Sequence, residues 1–457
     1  MKSGDRTKVT EREGTRGMRT AGSRKNQGNK KKPVKQLLAV NTKVGTSRGI
    51  RMWCIQMHIG SGGFGDVYRV IDEKSTKTPV QEYAMKTEIH GAHQRRLTIE
   101  KSILKEIDAY TTSNQKTRHF CELIDSGQTA EYSVNFSWIV MTLIGPSLDS
   151  VRRMLNKQFT KNCVINMALQ ILDAVEIMHE VGFIHRDLKP GNICTGNPPQ
   201  DDHVLYILDF GISRRIFKNH KSREHRNKRD RVPFYGTRKF CNRACHAEQD
   251  QGRKDDMETF VYTVLDLFHN ERGLTWSKNL AEPKKIIEKK KALFANPTKE
   301  LDAMIPTQMA KIIVYLNGLK FQDPVDYRFI EQELRSARKD LSSSDPSDEQ
   351  MDWTGKLEKM LKEAKKNKKQ ETPKGEETLM FERLQRARRA REMSSAGQSG
   401  NDNSTMKTLT KDGDGSEGPP GGFNERALTT VGTTEGGKAG RKEAPVKIGK
   451  KKSRSRN

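Results

Sequence analysis

Ile184-His185-Arg186-Asp187-Leu188-Lys189-Pro190-Gly191-Asn192 and, after the apolar run Val204 to Leu208, Asp209-Phe210-Gly211 decide the reading of this 457-residue chain. They match two patterns, H-R-D-L-x-x-x-N and D-F-G, whose order and separation agree with two more upstream. Gly60-Ser61-Gly62-Gly63-Phe64-Gly65-Asp66-Val67 fits G-x-G-x-x-G-x-V, and glycines at those positions let backbone amides approach phosphate oxygens with no Cβ in the way. A dinucleotide-binding turn should lead into a helix, whereas Asp66-Val67-Tyr68-Arg69-Val70 continues as a strand, so a phosphate-covering hairpin is the favoured reading.

Tyr83-Ala84-Met85-Lys86 puts a lysine at the end of a strand-like run, where an ammonium can hold the α and β phosphates of a nucleotide. Glu100 follows within the helix-like run Leu97 to Ile107 and can orient Lys86 as its charge partner. Each fragment alone is ordinary: a Gly-rich turn, a surface lysine, a solvated helix carboxylate. Four in order on one globular stretch are far more specific.

In this order the fragments resemble the eukaryotic protein kinase family, over roughly Arg51 to Leu334. Val140-Met141-Thr142-Leu143-Ile144-Gly145-Pro146-Ser147-Leu148 is similar to the hinge of the casein kinase I group, whose members also carry Lys-Pro-Gly-Asn in the catalytic loop. Gly236-Thr237-Arg238-Lys239-Phe240 and Arg253-Lys254-Asp255-Asp256-Met257-Glu258 stand where that group has similar segments. Phe321-Gln322-Asp323-Pro324-Val325-Asp326-Tyr327 and Asp352-Trp353 resemble the last helices of its tau–tubulin kinase branch.

The resemblance implies an α+β, bilobal kinase fold. A small, mainly antiparallel sheet with one helix runs from about Ile50 to Leu143, a larger helical lobe follows, and ATP lies between them. It implies serine and threonine as acceptors, protein substrates, ATP with Mg²⁺, and a monomer. Asp187 accepts or orients the proton of the substrate hydroxyl, and Lys189 reaches the γ-phosphate. Asn192 and Asp209 are the Mg²⁺ ligands. Gly60, Gly62 and Gly65 roof the phosphates, with Ser61 and Val67 in the same nucleotide-binding set. Lys86 held by Glu100 fixes the α/β end, and Ala84, Leu143 and the backbone of Thr142 and Ile144 form the adenine slot, with Met141 at its back. His185 and Arg186 are architectural, the latter a buried charge needing an anionic partner. Asp256 aligns with the aspartate that opens the long central helix and ties down the catalytic-loop backbone.

Between Asp209 and Gly236 stand Arg214, Arg215, Lys218, Lys221, Arg223, Arg226, Lys228, Arg229 and Arg231. The run reads either as recognition of acidic or already phosphorylated substrates, because the guanidinium fork matches carboxylate and phosphate, or as a solvated loop. The casein kinase I group has an anion-pocket arginine where this chain has Lys239, which lacks the fork; a second basic position after Trp276 is Leu280, with Lys278 nearby. Cys241, Cys245 and His246 could suggest zinc, but no second pair lies at a matching spacing, so buried hydrophobes are the better reading. Ser213, Ser222 and Thr237 are hydroxyls in the segment, and no phosphorylation switch is expected there, because the relatives generally do not depend on one.

Lys+Arg 84 against Asp+Glu 58 gives a net charge of +26, which attracts phosphates, acidic protein tails, nucleic acid or anionic membranes. No run approaches the roughly 18 apolar residues of a membrane-spanning helix. Six cysteines without framework spacing point to a reducing compartment, cytoplasmic with the nucleus as a further location. The expected domains are a basic disordered arm at 1–48, a kinase domain at 49–345, and a basic, mostly disordered tail at 346–457 with helical stretches at Lys356 to Lys369 and Leu379 to Arg391. Two other functions compete. A nucleotide-binding pseudokinase is disfavoured because Lys86, Asp187, Asn192 and Asp209 are all present. A scaffold binding cytoskeletal or nucleic-acid polyanions through its tails would have little aromatic stacking to add sequence choice.

Overall fold

A computed structural model describes residues 38–45, 50–61, 65–89, 96–116, 119–129, 135–156, 158–219, 222–269, 274–341 and 350–371, the side chains of 365–371 excepted. Most of the expected arm, the expected helix at Leu379 to Arg391, Gly62 and Lys221 lie outside the described residues.

Strict alternation builds the first lobe. Strands β1 (Lys43–Gly45), β2 (Met52–Ser61), β3 (Asp66–Asp72), β4 (Glu82–Ile89), β5 (Leu123–Thr129) and β6 (Phe136–Thr142) form one antiparallel sheet in the order β1-β2-β3-β4-β6-β5. Because side chains alternate between faces, Tyr83, Met85, Phe136, Trp138 and Val140 pack on one side with Trp53, Ile55, Tyr68 and Val70. Ala84, Ile139 and Met141 point to the other side, into the main core. Lys86 has the parity of Ala84, and its strand neighbours are Val67 and Ile139. Helix α1 (Arg96–Asn114) lies against β4, β5 and β6, burying Leu97, Glu100, Ile103, Leu104, Ile107 and Thr111. Glu100 therefore sits within an apolar stripe at helical spacing.

The second lobe is helical. Helix α2 (Leu148–Met154) leads to α3 (Lys161–Val181), which starts at Thr160, whose hydroxyl accepts from the Cys163 amide at 3.2 Å, and stops at Gly182, left-handed at φ 105°. Short strands follow: β7 (Phe183–Ile184), β8 (Ile193–Thr195), β9 (Leu205–Ile207), β10 (Arg214–Arg215), β11 (Phe217–Asn219) and β12 (Glu224–His225). After α4 (Arg243–His246) comes α5 (Arg253–Phe268), buried along nearly its whole length. Helices α6 (Pro283–Ala295), α7 (Pro297–Glu300), α8 (Gln308–Gly318), α9 (Tyr327–Leu341) and α10 (Leu357–Glu371) surround it or follow. No helix among the described residues is long and apolar enough to cross a membrane.

The packed body runs past both boundaries drawn from composition. Residues 38–45 fall inside the expected arm, yet β1 pairs with β2, Val44 is buried, and the Leu38 amide donates to the Tyr68 hydroxyl at 3.1 Å. Inside the expected tail, Met351, Trp353 and Leu357 are buried. Trp353 donates through Nε1 to the Asp202 carbonyl at 2.7 Å, and Asp352 accepts from the Thr160 amide and hydroxyl, both at 2.7 Å. Each segment is anchored by very few apolar residues among many lysines, so a composition average hides them.

Candidate active site

A buried carboxylate organises the loop that follows β7. Asp256 is fully buried on α5; it accepts from the backbone amides of His185 at 2.5 Å and Arg186 at 2.8 Å, and lies 3.1 Å from Nε2 of His179. Burial pushes its carboxyl up, but these bonds and the neighbouring histidines hold it below its ordinary value. His185 receives the Asp187 amide on Nδ1 at 3.1 Å, which directs Nε2 to donate to the Leu208 carbonyl at 3.0 Å. Arg186, at φ 72°, and Asp209, at φ 70°, are held in the left-handed region, a cost of about 1–3 kcal/mol each that surrounding bonds must overcome.

Both oxygens of Asp187 are engaged. Lys189 Nζ lies 2.6 Å from Oδ2 and 2.9 Å from the Thr237 hydroxyl, which itself donates to Oδ1 at 2.9 Å. Asn192 Nδ2 donates to the Asp187 carbonyl at 3.0 Å, leaving Asn192 Oδ1 as its atom able to take a cation. The Asn192 carbonyl accepts from the Leu208 amide at 2.9 Å, which sets Asp209 beside this loop. Phe210 is buried against His185 and Phe120, with ring centroids 5.4 and 6.0 Å away.

Across the cleft Lys86 Nζ contacts Glu100 Oε2 at 2.7 Å and Asp209 Oδ1 at 3.1 Å. Burial opposes charge on Lys86, but Glu100 and Asp209 more than offset it and hold the ammonium above its ordinary value. Asp209, pushed up by burial and drawn down by Lys86, ends below its own, while burial dominates at Glu100 and raises it. Asp209 and Asn192 Oδ1 are hard oxygen donors of the kind Mg²⁺ takes. Among the described residues no group of three or more His, Cys, Asp or Glu could hold a metal ion, so a cation here would depend on phosphate and water for most of its shell.

The described residues expected to bind nucleotide lie on the sheet above. Gly60 and Ser61 pair with Val67 and Asp66. Gly65 has no room for a side chain, since a Cβ would stand 1.6 Å from the Thr87 carbonyl oxygen. Ser61 donates to Asp66 Oδ1 at 2.6 Å and approaches His58 Nε2 at 3.0 Å. Ala84 faces Met141 in the register of β4 and β6, both buried, and Val67 and Leu143 pack beside them as half-buried residues. Thr142 and Ile144 lie in the link to the second lobe, where the Thr142 amide donates to the Glu122 carbonyl at 3.1 Å.

Among the described residues, much of the basic segment is tied to carboxylates. Asp250, fully buried, takes Arg226 Nη1 and, at 3.1 Å, Arg229 Nη2, with Arg214 Nε at 4.0 Å. Burial pushes Asp250 up, but Arg229 and Arg226 hold it well below the usual carboxylate range. Lys218 pairs with Glu224 at 2.6 Å, Arg231 with Glu248 at 2.5 Å, and Arg215 with Glu106 on α1. Lys239 is committed to buried Asp266 at 2.6 Å. Arg186 departs from expectation: among the described residues it has no carboxylate at salt-bridge distance, and its guanidinium donates to the Ile212 carbonyl at 2.6 Å and has the Tyr235 ring 5.4 Å away. Burial, with Arg214 and Arg229 adding to it, pulls Arg186 down to about 10. Sequence reading noted Thr237 as a hydroxyl and as part of the segment at 236–240, but not as a partner of Asp187, fifty positions away.

The protein kinase domain pattern matches residues 53–347 of the chain. A Caenorhabditis elegans protein named as a candidate serine/threonine-protein kinase is 31% identical over 298 residues, covering 64% of this chain and 70% of its own length. A second from that organism, similarly named, is 30% identical over 273 residues, 58% and 76% of the two chains. A candidate serine/threonine-protein kinase of Dictyostelium discoideum is 27% identical over 304 residues, covering 66% of this chain and 56% of its own. A match of that extent, laid over a cleft of this geometry, means that the chain belongs to the protein kinase family.

Proposed function

We propose that this chain is an active serine/threonine protein kinase that moves the γ-phosphoryl group of ATP to a protein hydroxyl. The supporting observation is the Asp187 cluster, in which Lys189 and Thr237 hold the carboxylate and Asn192 buttresses it from the loop. Phosphoryl transfer is governed by alignment and charge, so the residues divide by position. Asp187 orients the acceptor hydroxyl and takes its proton as the new P–O bond forms. Lys189 stabilises charge on the moving group, and Lys86, fixed by Glu100, holds the other end of the triphosphate. Asn192 and Asp209 would hold Mg²⁺, which when bound neutralises phosphate oxygens. The intact Lys86 to Asp209 geometry favours this reading over a pseudokinase.

The finer reading places the chain in the casein kinase I group, near its tau–tubulin kinase branch, and in the cytoplasm, in keeping with six free, buried thiols. A preference for acidic or phosphorylated acceptors rests on the positive field of Arg186, Arg214 and Arg229, which one carboxylate only partly neutralises. Polyanion binding by the basic flanks would be an accessory property. The test is transfer of labelled γ-phosphate to paired acidic peptides, one pre-phosphorylated, by the full chain and by Asp187→Asn. The variant should lose on the order of 10²–10⁴-fold in rate. Equal labelling by both proteins, or none by either with ATP and Mg²⁺, would refute the assignment.

A further inference from the structure

Beneath the segment Tyr235–Cys241 lies a buried cluster that phosphoryl transfer does not use. Cys241 and Cys245 are each 2% exposed. The Cys245 thiol donates to the Tyr235 carbonyl at 2.9 Å; the Cys241 thiol lies 3.6 Å from the Arg238 carbonyl and 3.2 Å from His246 Nε2. Lys290 of α6 is fully buried, and among the described residues it has no carboxylate at salt-bridge distance. Its ammonium donates to the carbonyls of Cys241 at 2.5 Å and Arg238 at 3.2 Å, and sits 4.6 Å from the centre of the Tyr262 ring. Three carbonyls of one short segment, at 235, 238 and 241, are thus held from below by two thiols and one ammonium.

The same segment touches the reacting end of the cleft. Its Thr237 donates to Asp187, and a Cβ built on Gly236 would stand 3.0 Å from the Arg186 carbonyl oxygen, 3.6 Å from Asp187 Oδ1 and 3.9 Å from Cys241 Cβ. Cys241 and the catalytic loop therefore both border the space beside Gly236.

We infer that Cys241 and Cys245 are an oxidisable thiol pair, a modification site at which hydrogen peroxide forms a disulfide that draws Thr237 off Asp187 and lowers activity. Its activity arm rests on the kinase reading above. The thiols are four residues apart across the start of α4, and both are buried beneath the same short segment. The neighbouring Cys241 thiol, the Tyr235 carbonyl contact and Lys290 draw the Cys245 thiol below its ordinary value against burial, which favours the thiolate needed for attack. The Cys245 sulfur attacks one peroxide oxygen, giving a sulfenic acid and one water; the Cys241 sulfur then displaces the hydroxyl as a second water and closes the S–S bond. Two electrons pass from the sulfurs to the peroxide, and both S–H donors are lost, the one serving Tyr235 among them.

The experiment treats the full chain with hydrogen peroxide, caps remaining thiols with iodoacetamide and digests with trypsin. Phe240–Arg243 and Ala244–Arg253 should appear joined, lighter by two hydrogens than their sum. Transfer activity should fall by about ten- to a hundredfold, as for an ångström-scale misplacement, and return with dithiothreitol. Cys245→Ser, which keeps a hydroxyl for Tyr235, should retain activity through the same treatment. If both peptides are found capped after inactivating treatment, or the variant is inactivated as fast as wild type, the inference is wrong. Should Cys245→Ser lose its cooperative thermal transition, Cys241→Ser replaces it and the joined peptide in wild type decides. That peptide also separates failure of the pair from failure of the kinase reading, since it needs no activity.

Discussion

Replacing Trp353 by alanine tests whether the kinase body ends where composition alone would end it. The indole is fully buried, meets Phe159 edge-on with centroids 5.9 Å apart, and donates to the Asp202 carbonyl at 2.7 Å. Truncating a buried aromatic costs about 3–5 kcal/mol, and a buried carbonyl left without its donor adds about 1–3 kcal/mol. About 4–8 kcal/mol is expected in all, a large part of the roughly 5–15 kcal/mol that typically separates folded from unfolded domains. The neighbouring Asp352 holds Thr160, the cap of α3, the helix that carries His179 to Asp256, so the loss should propagate toward the loop at His185 and Arg186. Urea unfolding of Trp353→Ala, followed by far-ultraviolet circular dichroism, measures it. A change below about 1 kcal/mol, the size of an ordinary surface substitution, would refute the packing argument.

Thr237→Val should lower kcat by on the order of tenfold or more while leaving KM for ATP nearly unchanged, because it frees Asp187 without touching Lys86; steady-state kinetics at varied ATP checks this. Asp250→Asn leaves Arg226 buried without its counter-charge and should destabilise by about 3–5 kcal/mol in denaturant titration. Because the Asp250 carboxyl is depressed in the folded protein, its contribution is present above its ordinary value of 3.8 and lost as pH falls through the folded value; the variant should have a flatter acid limb. Burial and Lys290 hold His246 down to about 4 against an ordinary 6.5, so the unfolded chain binds the proton more readily between those values. Stability should therefore be complete above pH 6.5 and decline toward pH 4, by about 1–2 kcal/mol once the partial exposure of the ring is allowed for, and melting curves of His246→Gln should lack that decline.

The parts of the site readable from sequence were contiguous or periodic. Asp187, Lys189 and Asn192 share one loop, and Glu100 betrays itself by interrupting an apolar stripe between Leu97 and Leu104. The alternation of β4 places Lys86 on the face of Ala84 before any contact is known. What sequence left hidden is tertiary. Asp250 lies well beyond the basic run whose arginines it gathers, so counting charges made that run look unneutralised. Arg186 satisfies its guanidinium with a carbonyl and a ring face, neither of which residue type announces. Val44 and Trp353 are among the few anchors in segments that otherwise read as solvated.

One helix carries two of the ion pairs described above. Glu100 reaches Lys86 and Glu106 reaches Arg215, and both project from the single rod α1, six positions apart. Turning that rod about its axis cannot release one grip while tightening the other at leisure; both are read from the same dial. The hold on Lys86 and the lie of the strand after Asp209 are thus two readings of one mechanical variable, and a spectroscopic label on the exposed face of α1, at Ile99, would follow both at once.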